Sequence, residues 1–500
     1  MATTAVAPVP AATSTITGRS RTIEASLWGA AATLVGFALS WVPSLWTDEV
    51  VTQSVSSRTW SQTFALLDHR DAVHGLYYAV MHLWTAVLGT DPWVLRLPSA
   101  IACGVAVAGI YVLGTQLAGQ ATGRAAAAVA ITLPALTWMS TEARSFAFVT
   151  AVTVWSYVAL VTATRRGGRT WILYALAVVA AGLLFVQALL VVLAQGITIL
   201  ASSRRHLRPW LVTAASAGAL LLPFVVFALG QRGQVAWLPP VGPETLRSVL
   251  FEQWFTGARR YGAVLLVMVA AAVVVGWVRA RRGGRGLVDQ VGVGAVAVPW
   301  AVVPTLVVLA VSVAAEPMYF PRYLAYTAPA LALLVGGLLG SWRSRLARLA
   351  AVLVLVALAV PTYLFQRSET AKDNADWSQA ASEVQAAALP GDVVLFSPDG
   401  GDERAPRRVL DAYPGAFAAL EDPGLDEVAA EQGRFWDTGR PALEVLASAD
   451  VTRAWLLGSH TDGLERELDE TVAALEAEGW TVTLTWSGPS TRLYLVTHGV

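Results

Sequence analysis

Apolar windows of about 20 residues, the length a helix needs to cross a bilayer core, recur from Ala25 to Phe365 with few ionisable side chains inside them. A lipid-exposed chain must satisfy its backbone hydrogen bonds internally, and runs of this length do so as helices. The expected fold is a polytopic α-helical membrane protein. Composition agrees: 55% of the 500 residues are hydrophobic and 14% charged, with mean hydropathy +0.54, where a soluble domain carries about a quarter charged residues.

Charge distribution divides the chain. Eleven acidic residues precede Arg367 and 24 follow it. Residues 1–23 are therefore read as a cytoplasmic tail, 24–366 as the transmembrane domain, and 367–500 as a water-soluble α/β domain. The tail ends in Arg19 and Arg21 and leads into the apolar run Ala25 to Val42, which reads as a retained signal anchor. The net charge is zero, so no nucleic-acid partner is implied. Cys103 is the only cysteine, which excludes an internal disulfide and a thiolate metal cluster. Lys372 is the only lysine against 34 arginines and reads as compositional bias.

The arginines set an expected topology. They cluster at Arg19/Arg21, Arg124, Arg165/Arg166/Arg169, Arg204/Arg205/Arg208, Arg279/Arg281/Arg282/Arg285 and Arg343/Arg345/Arg348, and positive clusters stay in the cytoplasm. Spans beginning near 25, 94, 124, 145, 170, 187, 209, 261, 291, 323 and 347 keep all six inside. That gives about eleven crossings in the plasma membrane, an inner N-terminus and an extracytoplasmic C-terminal domain. Val73 to Gly89 would upset the parity, and its His74, Tyr77, Tyr78, His82 and Trp84 suit a helix lying in the interface. The outer loop then runs from about 43 to 93. Nine of the eleven acidic residues before Arg367 fall on the outer side, where polar chemistry is collected.

In the soluble part, Trp377 to Ala388 and Leu464 to Glu478 read as helices. Asp392 to Phe396, Arg453 to Leu457, Thr481 to Trp486 and Thr491 to Val496 read as strands, the last two forming a hairpin. The segment has no phosphate loop, nucleophile elbow or metal-ligand spacing; a lid, acceptor-binding or scaffolding role is open to it.

Four outer segments carry candidate chemistry. Trp46-Thr47-Asp48-Glu49 puts two carboxylates at the membrane surface; a carboxylate there can act as a base, and equally the segment can be a helix N-terminus with acidic first-turn residues. Glu142 and Arg144 join two spans, where an arginine can also snorkel to headgroups. Arg322, followed by Tyr323, sits outside against the sorting rule, and an anionic phosphate would explain it. Gln234 and Trp237 are an amide and an aromatic ring suited to a sugar, although interfacial tryptophans are common. His69, His74 and His82 share the first loop with Asp68 and Asp71, but no spacing matches a ligand motif, so no metal site is expected.

Leu45-Trp46-Thr47-Asp48-Glu49, Gly75-Leu76-Tyr77-Tyr78 leading to Arg96-Leu97-Pro98-Ser99-Ala100, Glu142-Ala143-Arg144-Ser145-Phe146-Ala147 and Pro321-Arg322-Tyr323-Leu324 occur in this order. In that order the layout resembles the integral-membrane glycosyltransferases of GT-C fold: glycosyltransferase family 39, the protein O-mannosyltransferases and the aminoarabinose transferases of lipid A. The resemblance implies transfer of a sugar, mannose or arabinose, from a polyprenyl-phosphate donor to a hydroxyl of a glycan, glycolipid or protein. It makes Asp48 the catalytic base, with Glu49 as its acidic neighbour. Adjacent helical side chains diverge by about 100 degrees, so Asp48 is expected to take the proton and Glu49 to position. Arg322 and Arg144 are expected at the donor phosphate, and Glu142, His74, Tyr78, Gln234, Trp237 and Tyr323 at the substrates. No cofactor is required, and a divalent metal is not favoured. A transporter or flippase of lipid-linked sugars and a non-catalytic assembly partner are the competing readings.

Overall fold

The computed structural model describes residues 12–282, 291–399, 405–448, 451–461 and 463–498. Residues 1–11 of the expected tail and Arg285 lie outside the described residues, as do the side chains of Arg19 and Arg282.

The helices of the membrane part are α1 (Ala12–Phe37), α2 (Thr47–Ser57), α3 (Trp60–His69), α4 (Gly75–Leu88), α5 (Pro92–Ala118), α6 (Gln120–Thr132), α7 (Pro134–Met139) and α8 (Phe146–Arg166). They continue with α9 (Thr170–Leu184), α10 (Leu190–Ser202), α11 (Leu207–Gly230), α12 (Pro243–Arg247), α13 (Arg259–Arg282), α14 (Val293–Ala314), α15 (Ala328–Gly340) and α16 (Arg345–Phe365). Among the described residues seven helices are long and apolar enough to cross a membrane: α5, α8, α11, α13, α14, α15 with the 3-10 turn Pro321–Thr327 ahead of it, and α16. α9 and α10 are apolar but shorter, and α6 stops at Leu133, where Pro134 starts α7. α1 begins at Ala12, so the polar stretch before Ala25 continues the helix. α4 has 14 residues, about 21 Å at 1.5 Å per residue, too short for a hydrocarbon core of about 30 Å.

Small residues let the central helices touch. A Cβ on Gly104 of α5 would lie 2.6 Å from the Gly29 carbonyl oxygen of α1, and one on Gly336 of α15 would lie 2.6 Å from the Ala126 backbone of α6. Without a hydrophobic drive between helices in lipid, such close approach supplies the packing. α5, α8 and α15 are largely buried, whereas the apolar faces of α11, α13 and α16 are largely uncovered by protein, as lipid-facing helices are.

The C-terminal part holds α17 (Trp377–Ala387), α18 (Arg408–Ala412), α19 (Ala442–Ser448) and α20 (Glu465–Ala477). Its strands are β1 (Val393–Ser397), β2 (Leu425–Glu427), β3 (Thr438–Gly439), β4 (Arg453–Ser459), β5 (Trp480–Ser487) and β6 (Thr491–His498). The main sheet has the order β1-β4-β6-β5, with β1 parallel to β4 and β5–β6 the terminal hairpin. β2 and β3 form a separate small ribbon. Asp376, fully buried, accepts bonds from the backbone N–H and hydroxyl of both Ser490 and Thr491, tying the hairpin to the start of α17. The domain sits on the first loop of the membrane part: the Tyr413 hydroxyl accepts the Leu45 N–H at 2.8 Å, and the Gln53 amide reaches the Ala412 carbonyl at 3.3 Å.

Candidate active site

α2 starts directly after Trp46, and Asp48 and Glu49 occupy its first turn, where negative charge is favoured by the helix dipole. The two side chains point to different neighbours. Glu49 is fully buried: its carboxylate takes the Arg96 Nε at 2.7 Å and Nη2 at 2.5 Å, and the Ala143 N–H at 2.9 Å. The remaining Arg96 donors reach the carbonyls of Ser40, Pro43 and Ser44. All five guanidinium N–H groups are thereby used inside the protein.

Glu49 therefore fixes the turn between α7 and α8 that carries Glu142 and Arg144, with the Thr52 hydroxyl on the Ala143 carbonyl at 2.8 Å as a second tie. Arg144 is pinned from the other side. Its Nη1 donates to the Tyr78 hydroxyl at 3.1 Å and its Nη2 lies 3.9 Å from Asp71, while the Tyr78 hydroxyl donates to Asp71. Asp71 itself is in a left-handed conformation, and the end of α11 clamps its loop: Gln234 Oε1 accepts the Asp71 N–H at 2.9 Å and Gln231 Oε1 the Ala72 N–H at 3.0 Å.

Asp48 turns the other way, to a cavity of about 1260 Å³. Arg322 Nη1 lies 2.7 Å from its Oδ2 and 3.8 Å from Glu142 Oε1. The guanidinium sits among the rings of Trp46 and Phe320, each 5.1 Å from its carbon, and those of Phe146 and Tyr323, contacts that favour a cation. Burial opposes the charge on Asp48, but Arg322 and Arg144 outweigh it and hold the carboxyl below its usual value. Burial, with Arg144 adding to it, pushes the His74 imidazole down to about 4. His74 is thus neutral, bonded through Nδ1 to the Ser145 hydroxyl at 2.9 Å and stacked on Phe185.

Asp48, Arg144, Arg322, His74, Gln234, Trp237 and Tyr323 all line this cavity. Glu49, Glu142 and Tyr78 do not. Glu49 and Tyr78 stand behind the wall as supports, which corrects the expectation that Tyr78 meets a substrate. Glu142 is 1% exposed and neither of its oxygens has a hydrogen-bond partner. Gln234 reaches the wall, but its carbonyl oxygen is held by Asp71 and its amide nitrogen by Gln231, so it is part of the loop clamp. Arg96, of the Arg96-Leu97-Pro98-Ser99-Ala100 stretch, finds its anionic partner, Glu49, within the protein.

Three groups escaped the sequence reading. Lys372, the compositional oddity, is fully buried with its ammonium 3.6 Å from the Trp138 ring centre and no hydrogen-bond partner. Its burial pushes it down to about 8, against the opposing pull of Glu142 and Glu49. Phe435 and Trp436, from the loop between β2 and β3, form part of the cavity wall. Being the only lysine was the signal for the first; nothing local marked the other two.

The fold as a whole is similar to that of solved structures. ArnT from Cupriavidus metallidurans bound to undecaprenyl phosphate matches with TM-score 0.58 at 12% identity, over 94% of this chain and 97% of that one. The chain has the GT-C fold. The apo state of the same ArnT matches with TM-score 0.56 at 12% identity over the same shares. Residues 75–229 of this GT-C chain also match the model of the family described as dolichyl-phosphate-mannose-protein mannosyltransferase. No curated protein sequence matches.

Proposed function

We propose that this chain is a membrane glycosyltransferase that moves a sugar from a polyprenyl-phosphate donor to an acceptor hydroxyl, inverting the anomeric carbon. The observation that carries the reading is the Asp48–Arg322 pair at the wall of one large cavity, with Arg144 beside it. A base and two phosphate-binding cations are within reach of a single ligand. The undecaprenyl phosphate bound to the matched ArnT, and the dolichyl-phosphate-mannose in the description of the matched family, support a lipid-phosphate donor. Mannose and arabinose are the favoured sugars, and the acceptor is a glycan, glycolipid or protein at the outer face of the plasma membrane.

In the reaction, the acceptor oxygen attacks the anomeric carbon as its proton passes to Asp48, and the bond from that carbon to the phosphate oxygen breaks. Its electron pair leaves on the lipid phosphate. That leaving group is already a stable anion, so no general acid is needed, and Arg322 and Arg144 stabilise the charge that develops on it. Arg322 has two partners in turn. Without donor it rests on Asp48 and lowers its basicity; donor phosphate draws the guanidinium away, which raises Asp48 towards a useful base as the substrates are brought together.

The displacement needs no metal. The test is purified protein with polyprenyl-phosphate mannose or arabinose and a membrane extract as acceptor. We expect a product of inverted anomeric configuration by NMR, formed equally well with EDTA. A retained configuration, or activity lost to EDTA and restored by a metal, contradicts the mechanism. Movement of lipid-linked sugar across the bilayer without any transfer would make the chain a flippase.

A further inference from the structure

α5 and α8 each run from the candidate active site to a second, unrelated cavity. Arg96 near the start of α5 and Phe146 at the start of α8 belong to the active-site end. Gln116 and Arg166 lie 20 residues further along their helices, a distance of about 30 Å at 1.5 Å per residue, or one hydrocarbon thickness. There, a cavity of about 310 Å³ opens between α1, α5 and α8, lined by Arg21, Thr115, Gln116, Arg165 and Arg166 with Tyr111.

Its groups are poised for a ligand. Arg165 donates to the Gln116 carbonyl at 2.5 Å, which orients that side chain over the opening. Among the described residues, no carboxylate lies within ion-pair distance of Arg21, Arg165 or Arg166, whereas the neighbouring Arg124 is paired with Glu24. One acceptor, the Gln116 Oε1, is buried and has no hydrogen-bond partner among the described residues. A buried polar atom without a partner is costly, and a hydroxyl-bearing ligand would satisfy it.

We propose that this cavity binds an anionic glycerophosphate group, with the three guanidinium groups on the phosphate and Gln116 accepting from a glycerol hydroxyl. At the membrane boundary, its source is the headgroup of an anionic phospholipid such as phosphatidylglycerol; basic pockets between transmembrane helices bind such heads. At about 300 Å³ the volume is at the small end of ligand sites, the size for a headgroup rather than a whole lipid. The site is remote from the sugar chemistry and independent of it.

The test compares Arg21→Gln/Arg165→Gln/Arg166→Gln with Arg204→Gln/Arg205→Gln/Arg208→Gln, a change of equal charge in a cluster that lines neither of the two cavities. Delipidated full-length protein of each kind is titrated with phosphatidylglycerol in zwitterionic detergent, and bound lipid is counted by native mass spectrometry. We expect one tightly held lipid in the wild type and an affinity loss of about a hundredfold in the first variant, from three basic contacts. The loss in the second should be below about threefold, because solvated charges are screened. Equal losses in the two variants, or none in the first, overturn the site.

Phosphatidylcholine and soluble glycerol phosphate are the comparison probes. Phosphatidylglycerol binding alone identifies the lipid headgroup as the source, and glycerol phosphate binding as tightly overturns that assignment in favour of a soluble ligand. Gln116→Ala keeps all the charge and serves where the triple variant does not fold. It should weaken phosphatidylglycerol relative to phosphatidic acid, and unchanged selectivity contradicts the hydroxyl contact.

Discussion

Arg96 has no bond left for a ligand, and its partner Glu49 holds the turn on which Glu142 and Arg144 sit. Removing one member of a buried pair leaves an uncompensated charge, so Glu49→Gln should cost about 3–5 kcal/mol of stability, seen as a lower unfolding temperature and less folded protein. Asp48→Asn should leave stability nearly unchanged, because Asp48 is one-fifth exposed and its one ion contact opens to the cavity. Equal destabilisation by the two would contradict their division of roles. The sequence put the two carboxylates on different helix faces from the 100 degree step alone, but which face met a cavity depended on Arg96, 47 residues away. Lys372 adds a pH dependence. Its ammonium, depressed to about 8 by burial, is drawn the other way by the charge of Glu142, whose carboxyl is pushed up by burial against the pull of Lys372 and Arg322. As pH rises through about 8 the lysine loses its proton, Glu142 loses a counter-charge and competes harder for Arg322, and transfer should fall. Lys372→Met, which has no proton to lose, should show a lower rate without that decline. Superimposable pH–rate profiles would show that Lys372 does not act on the site.

At the scale of elements, the long apolar runs and the period of the terminal helices and strands were readable because both patterns are local. The loop between β2 and β3 was not. Its Phe435 and Trp436 gain meaning only where the C-terminal domain meets the cavity, with Gly433, at φ +60°, fitted against the Ala65 backbone of α3. The polar loop at the end of α11 was equally opaque: Gln234 looks like a sugar-binding amide in sequence and, with Gln231, serves as a clamp on the Asp71 loop. The place of Trp436 in the cavity wall predicts a selective effect. Trp436→Ala should raise the KM for acceptor by about two- to tenfold, the worth of one aromatic contact, with donor binding unchanged. A rise in donor KM instead would put the ring at the lipid-phosphate end.

The whole molecule gathers its candidate chemistry at one end of a helical bundle and a basic cavity at the other. The sequence hinted at such a separation in the arginines of Arg165/Arg166 and the carboxylates of Asp48/Glu49, which stand at opposite ends of long apolar runs. What sequence could not supply was which of these charges were structural: Arg96 and Glu49 close on each other, while Asp48 and Arg322 meet at the cavity. The account depends on Asp48 removing the acceptor proton. The most direct test is the rate of sugar transfer by purified wild-type and Asp48→Asn protein at saturating polyprenyl-phosphate sugar, with donor binding measured alongside. Loss of a general base predicts a fall of about 10²–10⁴-fold in rate with donor still bound; an Asp48→Asn protein as fast as the wild type would contradict the account.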